Sequence, residues 1–162
     1  MPDANFDRCM KFVLRWEGGY VNRPDDPGGE TRFGISKAAF PMLDIKSLTE
    51  QEARDIYRTD YWLKAGCDKL EWPLCLVVFD TAVNMGVKRA CLYILTADDW
   101  KEYIEMRREF YKALGVKKPM FLKGWLNRCD DLEKEASKDS KNEIAAPQNA
   151  ASRNDDVNNK EL

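Results

Sequence analysis

Two acidic residues nine positions apart stand at the ends of a turn-forming segment near the N-terminus. Glu17 lies in "RWEGGY", and Asp26 lies in "RPDDPGGE", where prolines restrict φ and glycines let the backbone bend sharply. Two carboxyl groups that face one cleft can hydrolyse a glycosidic bond: one protonates the leaving oxygen, and the other activates water or attacks the anomeric carbon. Asp25 is an alternative to Asp26, and Thr31 is a candidate for orienting the water.

Glu17 follows an apolar helical stripe, so it is expected at a helix C-terminus. The backbone dipoles there disfavour a carboxylate by roughly 0.3–1 kcal/mol. Neighbouring Trp16 and Tyr20 would add desolvation, so the placement favours the protonated form that a general acid needs. The alternative is an ordinary surface carboxylate that is solvated or paired with Arg15 or Arg32.

The composition excludes several other chemistries. The chain has no histidine, so a hydrolase with an imidazole base and a histidine-ligated zinc site are both impossible. A formal net charge of −2 and a pI of about 5.4 give no reason to expect nucleic acid as a partner. The five cysteines are odd in number and without zinc-ligand spacing, which predicts reduced core thiols. No metal or organic cofactor is expected.

Apolar residues recur at helical spacing along most of the 162 residues, which predicts a single, mostly α-helical domain. The long segment rich in glycine and proline has ends, "YVN" and "TRFGI", that are predicted to pair as a small β-hairpin beside the cleft. The composition becomes polar near residue 137, which predicts a helical domain over residues 1–136 and a disordered tail over residues 137–162. Boundary residues predict five main helices. The first ends at Gly18, the second begins at a capping box of Thr49 and Glu52, and the third runs from Pro73 to Gly86 and is followed by a shorter helix. The fourth main helix begins at Thr96 with Asp99 and stops at Gly115, and the last begins at Pro119.

The segment "EGGYVNRPDDPGGETRFGIS" closely resembles the signature of glycoside hydrolase family 108, the phage endolysin and muramidase family with a lysozyme-like fold. The resemblance continues through "LTEQEARDIYRTDYW" and "CDKLEWPLCLVVFDTAVNMG" and resumes at "FLKGWLNRCDDL". It implies that residues 1–136 form an α+β, lysozyme-like catalytic domain with Glu17 as the catalytic acid. It also implies that Tyr20 lies beside the cleft and that Asn84 contacts the substrate.

The activity implied by this resemblance is cleavage of the β-1,4 bond between N-acetylmuramic acid and N-acetylglucosamine in peptidoglycan. The arrangement of Glu17, Asp26 and Thr31 looks like the Glu–Asp–Thr trio of phage-type lysozymes. Asp26, helped by Thr31, would position water or stabilise an oxocarbenium-like transition state. Tyr20 and Tyr61 are candidates for stacking on sugar faces, although packing is the commoner role for each such ring.

Two other functions stay open at this point. A lytic transglycosylase would cleave the same bond with one acid and no water-activating aspartate. A wall-binding or secretion-accessory protein would keep the fold without activity, but the presence of Glu17 weighs against it. Family members carry a longer insert where this chain has a single predicted helix over residues 97–114, so the extent of the sugar-binding cleft is not implied by the resemblance.

The expected partners are the glycan strands of peptidoglycan, with no nucleic acid and no insertion into a membrane, because no apolar run reaches about 18 residues. The N-terminus lacks the basic flank and apolar core of a secretion signal. We therefore expect the chain in the cytoplasm, as a monomer or weak oligomer, until a holin-type protein releases it to the cell wall or periplasm.

Overall fold

The computed structural model describes residues 4–22 and 28–138, and this part of the chain is mostly α-helical, as predicted. A π-helical turn at Arg58–Trp62 continues the second helix, and a 3-10 turn spans Cys67–Lys69. The predicted tail, residues 137–162, lies almost wholly outside the described residues and stays a prediction. The helices are α1 Ala4–Glu17, α2 Glu50–Tyr57, α3 Leu74–Met85, α4 Val87–Ile94, α5 Trp100–Gly115 and α6 Pro119–Ala136.

The hairpin follows α1 and is formed within "TRFGIS". Strands β1 (Thr31–Arg32) and β2 (Ile35–Ser36) are antiparallel and are joined by a two-residue turn. Phe33 and Gly34 in that turn have φ values of 50° and 76°, and two positive φ values are typical of a type I′ turn. The predicted pairing of "YVN" with "TRFGI" holds at one position, where Val21 and Thr31 exchange backbone hydrogen bonds of 2.8 Å.

Local chemistry sets most of the helix ends. The predicted capping box of Thr49 and Glu52 is present at the start of α2. The N-cap of α5 is Asp99 rather than Thr96, because the Asp99 carboxylate accepts hydrogen bonds from the backbone of Lys101 and Glu102. Helix α5 ends at Gly115, as predicted.

Helix α3 is the centre of the domain, with α1, α4, α5 and α6 packed against it. Each of its residues from Cys75 to Ala82 is buried. An aromatic cluster fills the space between α1, α2 and α3, with ring centroids 5.3–6.3 Å apart at Phe6, Tyr57, Trp62 and Phe79. All five cysteines are free, and four of them are buried, which confirms the predicted core thiols.

Candidate active site

Glu17 is the last residue of α1, at the predicted helix C-terminus. Its side chain is 20% exposed, and its Oε1 accepts a hydrogen bond of 2.8 Å from Nη1 of Arg128 on α6. The guanidinium also lies 5.7 Å from the ring centroid of Trp16, whose Nε1 donates to Asp131 of α6. The end of α1 is therefore held against α6 by an ion pair beside an aromatic contact.

The hairpin turn lies beside the other oxygen of Glu17, Oε2. A Cβ atom added to Gly34 would lie 2.8 Å from both Cβ and Oε2 of Glu17 and would overlap the hydroxyl of Tyr57. That hydroxyl donates a hydrogen bond of 2.8 Å to the carbonyl of Phe33, which ties α2 to the turn. Burial raises the pKa of Tyr57, and the nearby charge of Glu17 raises it further. Position 34 therefore needs glycine both for its φ and for the space that Glu17 occupies.

A buried charge network lies beneath Glu17. Asp80, in the middle of α3, has no exposed surface and receives donors from two arginines. Arg128 donates through Nε at 3.1 Å and Nη2 at 2.7 Å to Oδ1, and Arg107 of α5 donates through Nη1 at 2.6 Å to Oδ2. Burial alone would raise the pKa of Asp80, but the two guanidinium groups outweigh it and the pKa is lowered.

The network continues from Asp80 to the surface at Asn84. Nη2 of Arg107 donates to Oδ1 of Asn84 at 3.2 Å, and the hydroxyl of Tyr111 donates to the same oxygen. Asn84 is exposed on α3, about one helical turn beyond Asp80. Glu17 and Asn84, both predicted from the sequence as site residues, are therefore the two ends of a single chain of hydrogen bonds.

The two predicted aromatic contacts lie in different surroundings. The ring of Tyr61 is 5.4 Å from that of Tyr57. Burial raises the pKa of Tyr61, and the charges of Asp60 and Glu17 add to the effect, so this side chain lies within electrostatic range of Glu17. Tyr20 is 41% exposed, and its hydroxyl donates to Glu30 at 2.9 Å.

The residues predicted to position the water are Thr31 and Asp26, with Asp25 as the alternative. Thr31 lies in β1, three residues before Gly34, and among the described residues it makes no hydrogen bond to Glu17. Asp25 and Asp26 lie outside the described residues, so their assignment stays a prediction.

The surface pairings considered for Glu17 are wrong. Arg15 pairs instead with Asp131 at 3.4 Å and with Glu135 at 3.6 Å. Arg32 donates to the backbone carbonyl of Lys46. The cation that does pair with Glu17, Arg128, comes instead from a helix far along the chain.

Sequence reasoning missed Asp80, Arg107 and Arg128 as site residues. Each had a usable signal, because a charged residue on an apolar helix face must find a partner when that face is buried. Asp80 interrupts the apolar run "LCLVVFDTAV", and the two arginines lie on buried stripes of α5 and α6. The pattern identifies such residues but does not say which of them pair.

Within the described parts of the chain, no group of three or more acidic or cysteine side chains could hold a metal ion. The same parts include no helix that is long and apolar enough to span a membrane.

The comparisons with known proteins agree on the family. A family model described as Glycosyl hydrolase 108 matches residues 10–86, which include Glu17, the hairpin and Asn84. The solved structure titled "Structure of Brucella abortus SagA" is 30% identical to this chain, with a TM-score of 0.70, and the match covers 84% of this chain and 97% of that one. The chain belongs to glycosyl hydrolase family 108. No curated protein matches it.

Membership of family 108 suggests peptidoglycan hydrolase activity. The predicted mostly α, lysozyme-like fold is confirmed. Arg107 and Arg128 lie beyond the residues that the family model matches, so the network joins the matched segment to the two helices that follow it.

Proposed function

We propose that this chain is an N-acetylmuramidase that hydrolyses the β-1,4 bond between N-acetylmuramic acid and N-acetylglucosamine, with Glu17 as general acid. The observation that carries the proposal is the fixed carboxyl of Glu17. Its Oε1 is held by Arg128, so Oε2, against the hairpin turn, is the oxygen left to deliver a proton to the glycosidic oxygen. A carboxyl held in one orientation contributes to catalysis because the reacting atoms must be aligned.

The second half of the reaction is assigned to Asp26, with Asp25 as the alternative and Thr31 as a helper. A carboxylate there would position a water molecule or stabilise the positive charge that develops on the sugar ring. Asp80 is unsuited to this role, because it is fully buried and shared by two arginines.

In this proposal, the sugar is bound by the side chains of Asn84, Tyr61 and Tyr20. The amide of Asn84 is oriented by two donors to its oxygen, which leaves its NH2 group to donate to a sugar hydroxyl or acetamido oxygen. Tyr61 and Tyr20 offer rings beside the cleft.

A lytic transglycosylase is the second candidate. It is compatible with the network as described, in which Asp80 is buried and unavailable to water. Such an enzyme needs the acid alone, and its product ends in an anhydro-muramic ring.

The proposed function is tested by digesting purified peptidoglycan and identifying the new ends by mass spectrometry. The wild-type chain should release fragments with reducing muramic ends. Asp26→Asn should lose about two or more orders of magnitude in rate, and a loss of that size in Asp25→Asn instead would transfer the role to Asp25. Anhydro-muramic ends with little effect of Asp26→Asn would establish the transglycosylase. No cleavage by a folded wild-type chain would leave a wall-binding protein.

The biological role belongs to the same proposal. A phage-type lysis protein would accumulate in the cytoplasm and reach the wall once a holin-type protein opens the membrane. Lysis of cells only on co-expression of such a membrane-opening protein would support this role, and lysis without it would contradict it.

A further inference from the structure

A surface groove of about 400 Å³ lies where α3 ends and α4 begins. It is lined by Met85 at the end of α3 and by Lys88, Arg89 and Leu92 of α4. The volume is within the range of pockets that bind small ligands. The groove therefore offers two apolar side chains for contact and two cations for recognition.

The positive charges of this groove are not neutralised within the described part of the chain, where neither Lys88 nor Arg89 forms an ion pair. The guanidinium of Arg89 lies 3.8 Å from the ring centroid of Phe110, a cation–π contact that fixes it at the groove wall. The groove therefore keeps a net positive charge that an anionic ligand can complement.

A second groove, between α1 and α6, differs in this respect. It is smaller, about 190 Å³, and it contains Glu135 among its lining residues. That carboxylate pairs with Arg15 at 3.6 Å and with Lys138 at 2.6 Å. Two of its cations, Arg15 and Lys138, are therefore already paired with an acid of the same groove, whereas Lys88 and Arg89 form no such pair in the described part of the chain.

The α3–α4 groove adjoins the candidate active site. Met85 follows Asn84 directly, and Asn84 is joined through Arg107 and Asp80 to the network that holds Glu17. A sugar bound at Asn84 would therefore carry its substituents next to this groove.

We propose that this groove binds the peptide stem of peptidoglycan, the short peptide of small residues with several carboxylates that is attached to muramic acid. Lys88 and Arg89 would bind its carboxylates, and Met85 and Leu92 would contact its methyl groups. The proposal rests on the proposed function, because it takes the same polymer as ligand. The groove adds a specificity for glycan strands that still carry their stems.

The test is binding to insoluble peptidoglycan by co-sedimentation, with Glu17→Gln in every chain so that the polymer stays intact. The polymer is used before and after an amidase has removed its stems. The double variant Lys88→Glu, Arg89→Glu should bind intact peptidoglycan about tenfold more weakly than its parent, since two charge-assisted contacts are lost. On stripped strands the two chains should bind equally. Lys117→Glu with Lys123→Glu, the same charge change elsewhere, should bind both polymers like the parent.

Two results would overturn the groove proposal. One is unchanged binding of the Lys88, Arg89 double variant to intact peptidoglycan, and the other is an equal loss on stripped strands, which would mean general attraction to the wall. Arg89→Met, which keeps a side chain over Phe110, checks that a loss does not come from misfolding, and it should bind more weakly with unchanged thermal unfolding. Hydrolysis by the wild-type chain is measured separately. Stem-dependent binding without hydrolysis would refute the proposed function and leave the groove proposal standing.

Discussion

Replacing Arg128 with alanine should destabilise the domain more than replacing Arg108, the arginine of α5 that also bridges several carboxylates. The side chain is 6% exposed and lies between two carboxylates from different helices. It donates to Asp80 at 2.7 and 3.1 Å and to Glu17 at 2.8 Å. Alanine removes all of these donors at once and leaves Asp80 with Arg107 alone.

The magnitude follows from what remains. Removing one partner of a buried ion pair costs about 3–5 kcal/mol, because the other charge stays buried. Asp80 keeps the hydrogen bond of 2.6 Å from Arg107, so the cost of leaving Asp80 without Arg128 should be near the lower end of this range. Glu17 is 20% exposed, so water can replace much of its lost donor at a cost of less than about 1 kcal/mol. We expect a loss of about 3–4 kcal/mol in the free energy of unfolding, which a typical domain survives.

The assay is equilibrium unfolding in urea at pH 7, with Arg108→Ala as the matched control. Arg108 also bridges three carboxylates, on Glu105, Asp130 and Glu133, but these are 57%, 67% and 42% exposed. Its loss should cost about 1 kcal/mol or less. Equal midpoints for the two variants, at equal denaturant slopes, would refute the assignment of the Arg128 network as the element that joins α1, α3 and α6.

Three further predictions concern the same site. Gly34→Ala should lower the unfolding free energy by about 2 kcal/mol and slow hydrolysis at least tenfold. The added Cβ would enter the space of Glu17 and Tyr57, at a residue whose φ is positive. A fully active, equally stable variant would contradict this. Tyr57→Phe should cost about 1 kcal/mol by urea unfolding, since it removes only the donor to the Phe33 carbonyl, and Tyr20→Phe, at an exposed hydroxyl, should cost less. The two arginines lower the pKa of Asp80 in the folded state despite its burial. The ionised carboxylate therefore stabilises the fold above its ordinary pKa of about 3.9, and this stabilisation is lost as the pH falls through the lower pKa of the folded state. The free energy of unfolding should decline below about pH 4, and a flat pH profile would contradict the pairing.

Much of the fold could be predicted because its signals are local. The capping box at Thr49 and Glu52, the proline that opens α6 and the glycine after Glu17 each act within one helical turn. The N-terminus of α5 was placed too early because Thr96 has the right side chain for a cap. Its hydroxyl instead donates to carbonyls of the preceding helix, and Asp99 provides the cap.

Only some of the site residues could be predicted from the sequence, because the geometry of the site depends on pairs of residues that lie far apart along the chain. Glu17 could be identified by its placement at a helix end, and Asn84 by the family resemblance. The partner of Glu17, Arg128, lies 111 residues away, and the two partners of Asp80 lie 27 and 48 residues away. Spacing along the chain cannot reveal such pairs, because packing of α6 against α1 and α3 decides them.

Close contacts between elements could not be predicted from the sequence either. Helix α5 ends at Gly115 as predicted, but this glycine has a second role that the sequence does not show. A Cβ there would lie 2.9 Å from both methyl carbons of Leu122, so the glycine allows α5 and α6 to approach closely. The position of the hairpin turn over Glu17 likewise depends on a contact with Gly34 that no sequence pattern displays.

The most direct test of the central claim is the rate at which Glu17→Gln releases new reducing ends from peptidoglycan, compared with the wild type. Glutamine preserves the shape of the side chain and its contact with Arg128 but cannot donate an acidic proton. We predict a loss of about a thousandfold in kcat, within the range for removal of a general acid, with unfolding free energy and polymer binding little changed. A variant that retains a tenth or more of the wild-type rate would contradict the assignment of Glu17 as the catalytic acid.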